Sequence, residues 1–437
     1  MSFSAVPSRI CILRKASALL VGCGEAILCF AIFVPLATVY WPVLFHDVGA
    51  CTREYDIRAA KWCDRVTGEV MARDSGRVTR ACFALSLVLG VACLALMWVA
   101  PQVRASLFPA YRSVSKVVAT ALATVTSIVP FAVWDIGIVC LVLVGVACLV
   151  RRVRRKAPLA PVFAAACLLI SCNAFVFVAW AFNHYAPALA DELELEVGQY
   201  TTEELADATR FYLSQAAERA PLVPRKDDGE LVKQDFFELA RVTGASYEDL
   251  ARSYPIFRGP TVPVKALLIW GEPLLYTGHT GMYWAPTAES GVPLNTAKAD
   301  LPFIMCHEAA HRLGIASEQE ANFAAFLACQ ASDDVRLSYS GYFNAFGYCL
   351  NALLRTDPER VQPLLQEVAD AGLYEGVVYV LTDREATRAH YQAYEGPVED
   401  VGTAVNDTYL KSFGESEGVR SYGLVVDYLI AWNEQSQ

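Results

Sequence analysis

The sequence predicts an α-helical membrane region over residues 1–182 and a soluble, mainly α (α+β) domain over residues 183–437. Long apolar segments joined by basic connectors fill the first part. The charge then reverses, since residues 1–182 carry 18 Lys and Arg against 8 Asp and Glu, whereas residues 183–437 carry 18 against 38. The second part shows helical periodicity interrupted by two short strand-like runs. These observations predict two parts in different solvents.

Four segments are apolar over about 20 residues or more, which is the length that crosses a hydrocarbon core of about 30 Å. They are residues 16–45, 81–100, 131–150 and 161–182. The first contains Glu25 and Pro35, so a tilted span, a kinked span and an uncleaved signal anchor all stay open for it. Asp135 in the third segment is predicted to lie at the membrane interface beside Trp134 rather than to act in a proton relay.

The basic connectors predict the orientation in the cell membrane. RRVRRK at residues 151–156 has five basic residues and no acid. With this connector in the cytoplasm, 12 basic residues of the connectors lie inside, whereas the opposite orientation places 6 there. The positive-inside rule therefore predicts residues 183–437 outside the cytoplasm. Arg9, Arg14 and Lys15 argue the other way, which suits a first segment that does not span fully.

The composition of residues 183–437 excludes some classes of function. A strongly acidic domain argues against nucleic acid as the partner. Its three cysteines, Cys306, Cys329 and Cys349, lie in helical apolar patterns, and an odd number is not a disulfide framework. The chain has no C-x-x-C pair, which argues against a cysteine zinc cluster.

The first elements of this domain are predicted from caps and breakers. A Thr-Thr-Glu-Glu cap begins a helix over residues 200–220. Gly244 and Pro255 are predicted to end two shorter helices, at residues 235–243 and 247–254.

Strands and further helices follow. The apolar run 264–270 and the aromatic run 274–284, which contains Gly278 and Gly281, are predicted as strands. After residue 330, helices are predicted over residues 339–354, 358–371, 383–394, 398–413 and 422–432.

The stretch LPFIMCHEAAHRLG at residues 301–314 carries the clearest chemical signal. His307 and His311 are four residues apart, so on a helix they share one face and can bind one Zn2+. In H-E-x-x-H zinc peptidases the glutamate after the first histidine, here Glu308, takes a proton from metal-bound water. Gly314 is placed to end the helix in a left-handed conformation. The alternative for the bare motif is a surface helix with a solvated His/Glu/His face.

The third metal ligand has two candidates, Glu318 and Glu320, at the start of the next helix. Ser317 and Glu320 have the spacing of a capping box, which gives Glu320 a structural partner. Glu318 points about 200° away from Glu320 around the axis, on the side of Asn322 one turn later. We therefore expect Glu318 to bind the metal and Asn322 to orient a ligand histidine.

Other patterns accompany the motif. They are PF at residues 130–131 with Asp135, WAFNHY at 180–185, PFIMCHEAAH at 302–311, EQEANF at 318–323, YSGY at 339–342, NDTYLK at 406–411 and GVRSYG at 418–423. In these the sequence, over roughly residues 80 to 437, resembles the bacterial multi-pass membrane family catalogued as domain of unknown function 3810. That family is similar to zinc peptidases of the gluzincin kind. The resemblance implies a zincin-like domain outside the membrane, and it makes Glu289 the counterpart of an acid that often precedes the metal helix.

Further residues are candidates for steadying charge near the metal. His279 and His390 are lone histidines, and each is more often an ordinary packed or surface residue than a transition-state stabiliser. Tyr339 and Tyr342 suit packing between helices, although a tyrosine hydroxyl could steady an oxyanion.

Together these patterns predict a membrane-anchored zinc-dependent hydrolase, in the first place a peptidase, with Glu308 as general base. Lys298, Asp300 and Arg312 flank the motif, so we expect it outside the bilayer, acting on a soluble or juxtamembrane peptide or protein. The strands of residues 264–284 offer an edge to which a peptide can add. The alternative from another class is a non-catalytic membrane sensor or assembly factor with a zincin-like fold.

Overall fold

The computed structural model describes residues 57–412 and 425–436, and it describes the side chains of most of these from residue 76 onward. The predicted span 16–45 lies outside the described residues. The chain divides into two compact units. One holds the described residues up to Leu94 together with Gly137–Phe175, and the other holds those of Ala95–Ile136 and Val176–Gln437.

Three helices are long and apolar enough to cross a membrane, over Gly76–Val103, Val133–Arg154 and Ala160–Tyr185. They contain the predicted segments 81–100, 131–150 and 161–182. The elements that carry them are α1 (Ile57–Thr126), α2 (Val133–Arg154) and α3 (Ala160–Trp180).

Helix α1 continues past its apolar segment and ends at Thr126. Pro101 and Pro109 lie inside this helix. Its polar end is held by long-range contacts. Lys116 Nζ donates to the carbonyl oxygens of Ile256 at 2.5 Å and Arg258 at 2.8 Å. Docking of this kind supports helix where local sequence alone does not.

The second unit is mainly helical. Its helices are α4 (Leu189–Glu192), α5 (Thr202–Arg219), α6 (Phe236–Ser253), α7 (Gly271–Leu275), α8 (Leu301–Arg312), α9 (Glu318–Gln330), α10 (Val335–Thr356), α11 (Val361–Val368), α12 (Tyr374–Gln392), α13 (Pro397–Ser412) and α14 (Val425–Ser436). The cap predicted for α5 is confirmed, because Thr201 and Glu204 form a capping box. Most residues of α8, α9 and α10 are buried, so these three helices form the centre of the core.

Helix α6 corrects a prediction, because one helix runs through Gly244 where two shorter helices were expected. A Cβ atom on Gly244 would lie 2.6 Å from the carbonyl oxygen of Thr261. The glycine therefore permits close approach of a neighbouring loop and does not end the helix.

A sheet of three short strands lies beside these helices: β1 (Lys265–Leu267), β2 (Met282–Trp284) and β3 (Glu289–Pro293). The order is β1-β3-β2, with β1 parallel and β2 antiparallel to β3. The long strand expected over residues 274–284 is wrong except for β2. Helix α7 occupies its beginning, and Gly278 has a φ of 77°, which breaks extended backbone.

The start of α2 is joined to this sheet through buried charges. Glu289 accepts from the backbone N–H groups of Val133 at 2.9 Å and Trp134 at 3.2 Å, and Lys265 Nζ lies 3.1 Å from its carboxylate. Asp135 accepts backbone N–H groups after β1. We refer to Asp135, Lys265 and Glu289 as the α2 foot. Such acceptors satisfy N–H groups that the first turn of a helix leaves without partners.

Candidate metal centre

Helix α8 carries the H-E-x-x-H residues inside the core. Its first half, from Leu301 to Cys306, is buried, and so are Glu308 and His311. A solvated surface helix is therefore not what the chain forms. Gly314 follows the helix with a φ of 89°, as predicted from its position.

Three side chains converge on one point. The Nε2 atoms of His307 and His311 lie 3.1 Å apart. Glu318 Oε2, from the first residue of α9, lies 3.2 Å from His307 Nε2 and 3.7 Å from His311 Nε2. The three residues each offer a ligand atom, and these atoms all lie within 4.8 Å of one another. This group could hold a metal ion.

The chemistry of the donors fits a bound cation. His311 Nδ1 lies 2.8 Å from the carbonyl oxygen of Ile315, which can only accept a hydrogen bond, so Nδ1 carries a proton and Nε2 is the nitrogen that faces the other two residues. Glu318 Oε2 is buried and faces the two imidazole Nε2 atoms. A buried carboxylate oxygen facing two imidazole nitrogens is costly unless a proton or a cation lies between them. Two histidines and a glutamate are a donor set that zinc accepts.

The charges in this group perturb one another. Burial raises the pKa of Glu308 to about 7, against the opposing effect of the two histidines. Burial alone would lower the pKa of His311, but the Glu318 carboxylate outweighs it and raises that pKa to about 9. The histidines in turn hold the pKa of Glu318 below its usual range despite burial. The group therefore favours a carboxylate at Glu318 beside a positive charge.

Glu308 is held by residues that sequence reasoning did not identify. Ser290 Oγ, from β3, donates to the backbone carbonyl oxygen of Glu308 at 2.6 Å. A Cβ atom on Gly281 would lie 2.4 Å from Glu308 Oε1, so a larger residue there would displace the Glu308 carboxyl. Glu308 Oε2 accepts no hydrogen bond from the described residues. The only local signal was the glycine just before β2, and nothing near Ser290 indicated its contact.

Glu320 does not make the predicted capping box. Ser317 precedes α9 without a side-chain capping bond. Glu320 instead accepts from the backbone N–H of Leu189 at 2.7 Å and from the Tyr428 hydroxyl at 3.2 Å. The partners lie far away in sequence, so the local spacing misled. Glu320 still has a structural role, and Glu318 is the acid beside the histidines.

Asn322 is buried in α9, and its Nδ2 has no hydrogen-bond partner among the described residues. Asn322 Nδ2 therefore donates to neither His307 nor His311 within the part of the chain that the structure describes. The role of Asn322 as a partner of a histidine thus stays a prediction.

The two lone histidines, His279 and His390, each contact a neighbouring side chain. His279 Nδ1 lies 2.9 Å from Thr277 Oγ1; burial lowers the pKa of His279, and Glu318 is near enough to oppose this. His390 packs against Tyr394, with ring centroids 5.5 Å apart.

The two tyrosines of α10 make contacts elsewhere. The Tyr339 hydroxyl donates to Asp383, which also binds Arg225 at 2.8 Å. Tyr342 accepts from Gln330 Nε2 at 3.1 Å. The structure gives both hydroxyls structural partners and does not bring Tyr339 to the histidines.

Aromatic rings connect the centre with the end of a candidate membrane span. Trp180 is the last residue of α3, and its ring centroid lies 6.1 Å from that of His311. The same indole lies 5.3 Å from the ring of Tyr283 in β2. The candidate metal centre is therefore about one side chain away from the end of α3.

Comparison with known proteins gives one match. The model of a family described as Protein of unknown function (DUF3810) matches residues 111–430. That range includes the α2 foot and all three candidate ligands. No curated protein and no solved structure matches the chain.

Proposed function

The chain belongs to the DUF3810 family, whose description assigns no activity, and we propose from the geometry of its site that it is a membrane-anchored, zinc-dependent hydrolase, most simply a peptidase. One observation carries the proposal. The ligand atoms of His307, His311 and Glu318 converge, and the buried carboxylate Glu308 lies on the same helix as the two histidines. In this proposal His307, His311 and Glu318 hold the metal. Zinc, when bound, supplies Lewis acidity that makes a water molecule a nucleophile near neutral pH and polarises a carbonyl group.

The chain's own residues divide the remaining work. Glu308 takes the proton from the attacking water and passes it to the leaving amine. Gly281 leaves room for the Glu308 carboxyl, and Ser290 binds the Glu308 backbone carbonyl oxygen. The hydrogen bond to Ile315 fixes His311 as a ligand through Nε2.

The strand β2 supports a peptide as the substrate. It is an outer strand of the three-stranded sheet, paired on one side with β3. Gly281, next to β2, lies against the Glu308 carboxyl. A peptide that adds to the open side of β2 would bring its backbone close to the proposed general base.

The membrane supplies the setting of the proposed reaction. Three candidate spans anchor the chain, and Trp180, near the end of one of them, contacts the His311 ring. Together with the basic connector at residues 151–156, this supports a zincin-like domain on the extracytoplasmic side that acts on juxtamembrane substrates.

The test compares full-length wild-type protein with Glu308→Gln in detergent, measuring bound metal and hydrolysis of a general protein substrate. We expect about one zinc per chain in both. Hydrolysis by Glu308→Gln should fall by roughly 10²–10⁴-fold, the usual range for a general base.

Two outcomes decide against this function. Wild-type protein without metal, prepared without chelators, contradicts the metal assignment. A zinc-loaded wild-type protein that hydrolyses nothing, with equal behaviour of Glu308→Gln, favours the sensor or assembly role. Orientation is tested separately by reporter fusions after Tyr200, where cytoplasmic reporter activity contradicts an extracytoplasmic domain.

A further inference from the structure

Three consecutive apolar side chains stand exposed between β1 and α7. Leu268, Ile269 and Trp270 are 48%, 43% and 39% exposed. We call residues 268–270 the apolar tip. Leu294 is also exposed and follows the neighbouring strand β3, whose Pro293 pairs with Leu267. Consecutive exposed Leu, Ile and Trp residues next to a further Leu form an apolar patch, and such patches mark sites that contact a membrane or another molecule.

The backbone of the tip is bound to the start of a candidate membrane span. Asp135 Oδ2 accepts the N–H groups of Leu268 at 2.6 Å and Ile269 at 3.0 Å, and Oδ1 accepts that of Trp270 at 2.8 Å. Asp135 is fully buried and is the third residue of α2. The tip is therefore level with the first turn of α2.

The length of α2 fixes that level relative to the bilayer. The cluster beginning at Arg151 marks the polar end of the helix. With a rise of 1.5 Å per residue, Asp135 lies about 24 Å from Arg151 along the axis. A hydrocarbon core is about 30 Å thick. The first turn of α2 therefore reaches the lipid boundary or lies just within it.

The backbone of the apolar tip is not helical, and at the lipid boundary its N–H groups need hydrogen-bond acceptors from the protein. Lipid offers no hydrogen-bond partners, so backbone N–H groups there must be satisfied by the protein. Asp135 satisfies three in the tip, and Glu289 satisfies those of Val133 and Trp134 in α2. Lys265 compensates the charge of Glu289. The α2 foot thus supplies acceptors where water would be scarce.

We propose that the apolar tip inserts into the lipid bilayer beside the start of α2, as a membrane contact in addition to the spans. Leu268 and Ile269 meet acyl chains, and Trp270 lies at the interface, where tryptophan is enriched. The exposed side chains and the satisfied backbone point to the same occupant, a lipid surface. The proposal does not depend on a metal or on catalysis.

The test uses the full chain in nanodiscs whose phospholipids carry a photoreactive group on the acyl chain. Leu222 is the matched control, because it is 68% exposed and its N–H is not among those that bind Asp135 at the start of α2. We expect lipid adducts on residues 268–270 and none on Leu222. Ile269→Asp should reduce adducts on Trp270, whereas Leu222→Asp should leave them unchanged, with equal metal content in both variants.

The same samples give the opposing outcomes. If hydroxyl radicals generated in water label Trp270 fully in nanodiscs and no lipid adduct forms, the tip is solvated and the proposal is wrong. Cross-links from the tip to a second copy of the chain, without lipid adducts, would instead make it an interface between copies and also contradict the proposal.

Discussion

The α2 foot and the candidate metal centre both bury carboxylates, but they treat them oppositely. At the foot, Asp135 accepts three backbone N–H groups, and Glu289 accepts two and pairs with Lys265. At the centre, Glu308 Oε2 has no hydrogen bond from the described residues, and Glu318 Oε2 faces two imidazole nitrogens instead of backbone N–H groups. A carboxylate that only supports the fold is satisfied within the fold. Oxygens left without donors indicate a ligand or a reaction.

The largest effect should come from Glu318→Ala. It removes one of three proposed ligands, so we expect bound zinc to fall below detection. In metal-free protein the substitution also removes the carboxylate that raises the pKa of His311, so near neutral pH the variant should unfold at a lower temperature than metal-free wild type. Metal analysis and thermal unfolding in detergent check both statements. Retained zinc would contradict the ligand assignment.

For Asp135→Ala we expect a loss of stability without a loss of zinc. It leaves three partly buried N–H groups without their acceptor, each costing up to roughly 1–3 kcal/mol. The free energy of unfolding should therefore fall by several kcal/mol, while the folded fraction keeps its zinc. Asp227→Ala, at an exposed position, is the control. An Asp135→Ala protein as stable as this control would show that the foot does not need its carboxylate.

A smaller effect should follow Gly281→Ala. The added methyl group would collide with the Glu308 carboxyl, and displacement of a reacting group by about 1 Å costs roughly 10²-fold in rate. Metal content should stay unchanged, because Gly281 is not a ligand. Gly198→Ala, where a Cβ meets nothing within 4 Å, is the matched control. Equal hydrolysis rates in the two variants would remove Glu308 from the reaction.

The sequence predicted the parts of the centre that depend on short spacing. A four-residue separation on a helix is enough to place His307 beside His311. The position of Glu318 at the start of α9 was enough to place it on a different side of that helix from Glu320. Strand β3 was not predicted, because its Glu, Gly and Pro are depleted in strands. The structural role of its Glu289 could not be predicted, because its hydrogen-bond partners in α2 lie far away in the sequence. Gly244 misled for a similar reason, since its close neighbour is a distant loop.

The smallest effect is expected for Glu320→Ala, which separates a structural acid from a ligand two residues away. Glu320 accepts from the Leu189 N–H and the Tyr428 hydroxyl, and so ties α9 to α4 and α14. Its loss leaves one buried N–H without this acceptor and should cost roughly 1–3 kcal/mol of the free energy of unfolding. Zinc should remain bound, because Glu320 lies outside the group formed with the two histidines. Metal analysis beside thermal unfolding, compared with Glu318→Ala, separates the two acids. Zinc lost only in Glu320→Ala would mean that the two acids have each other's roles.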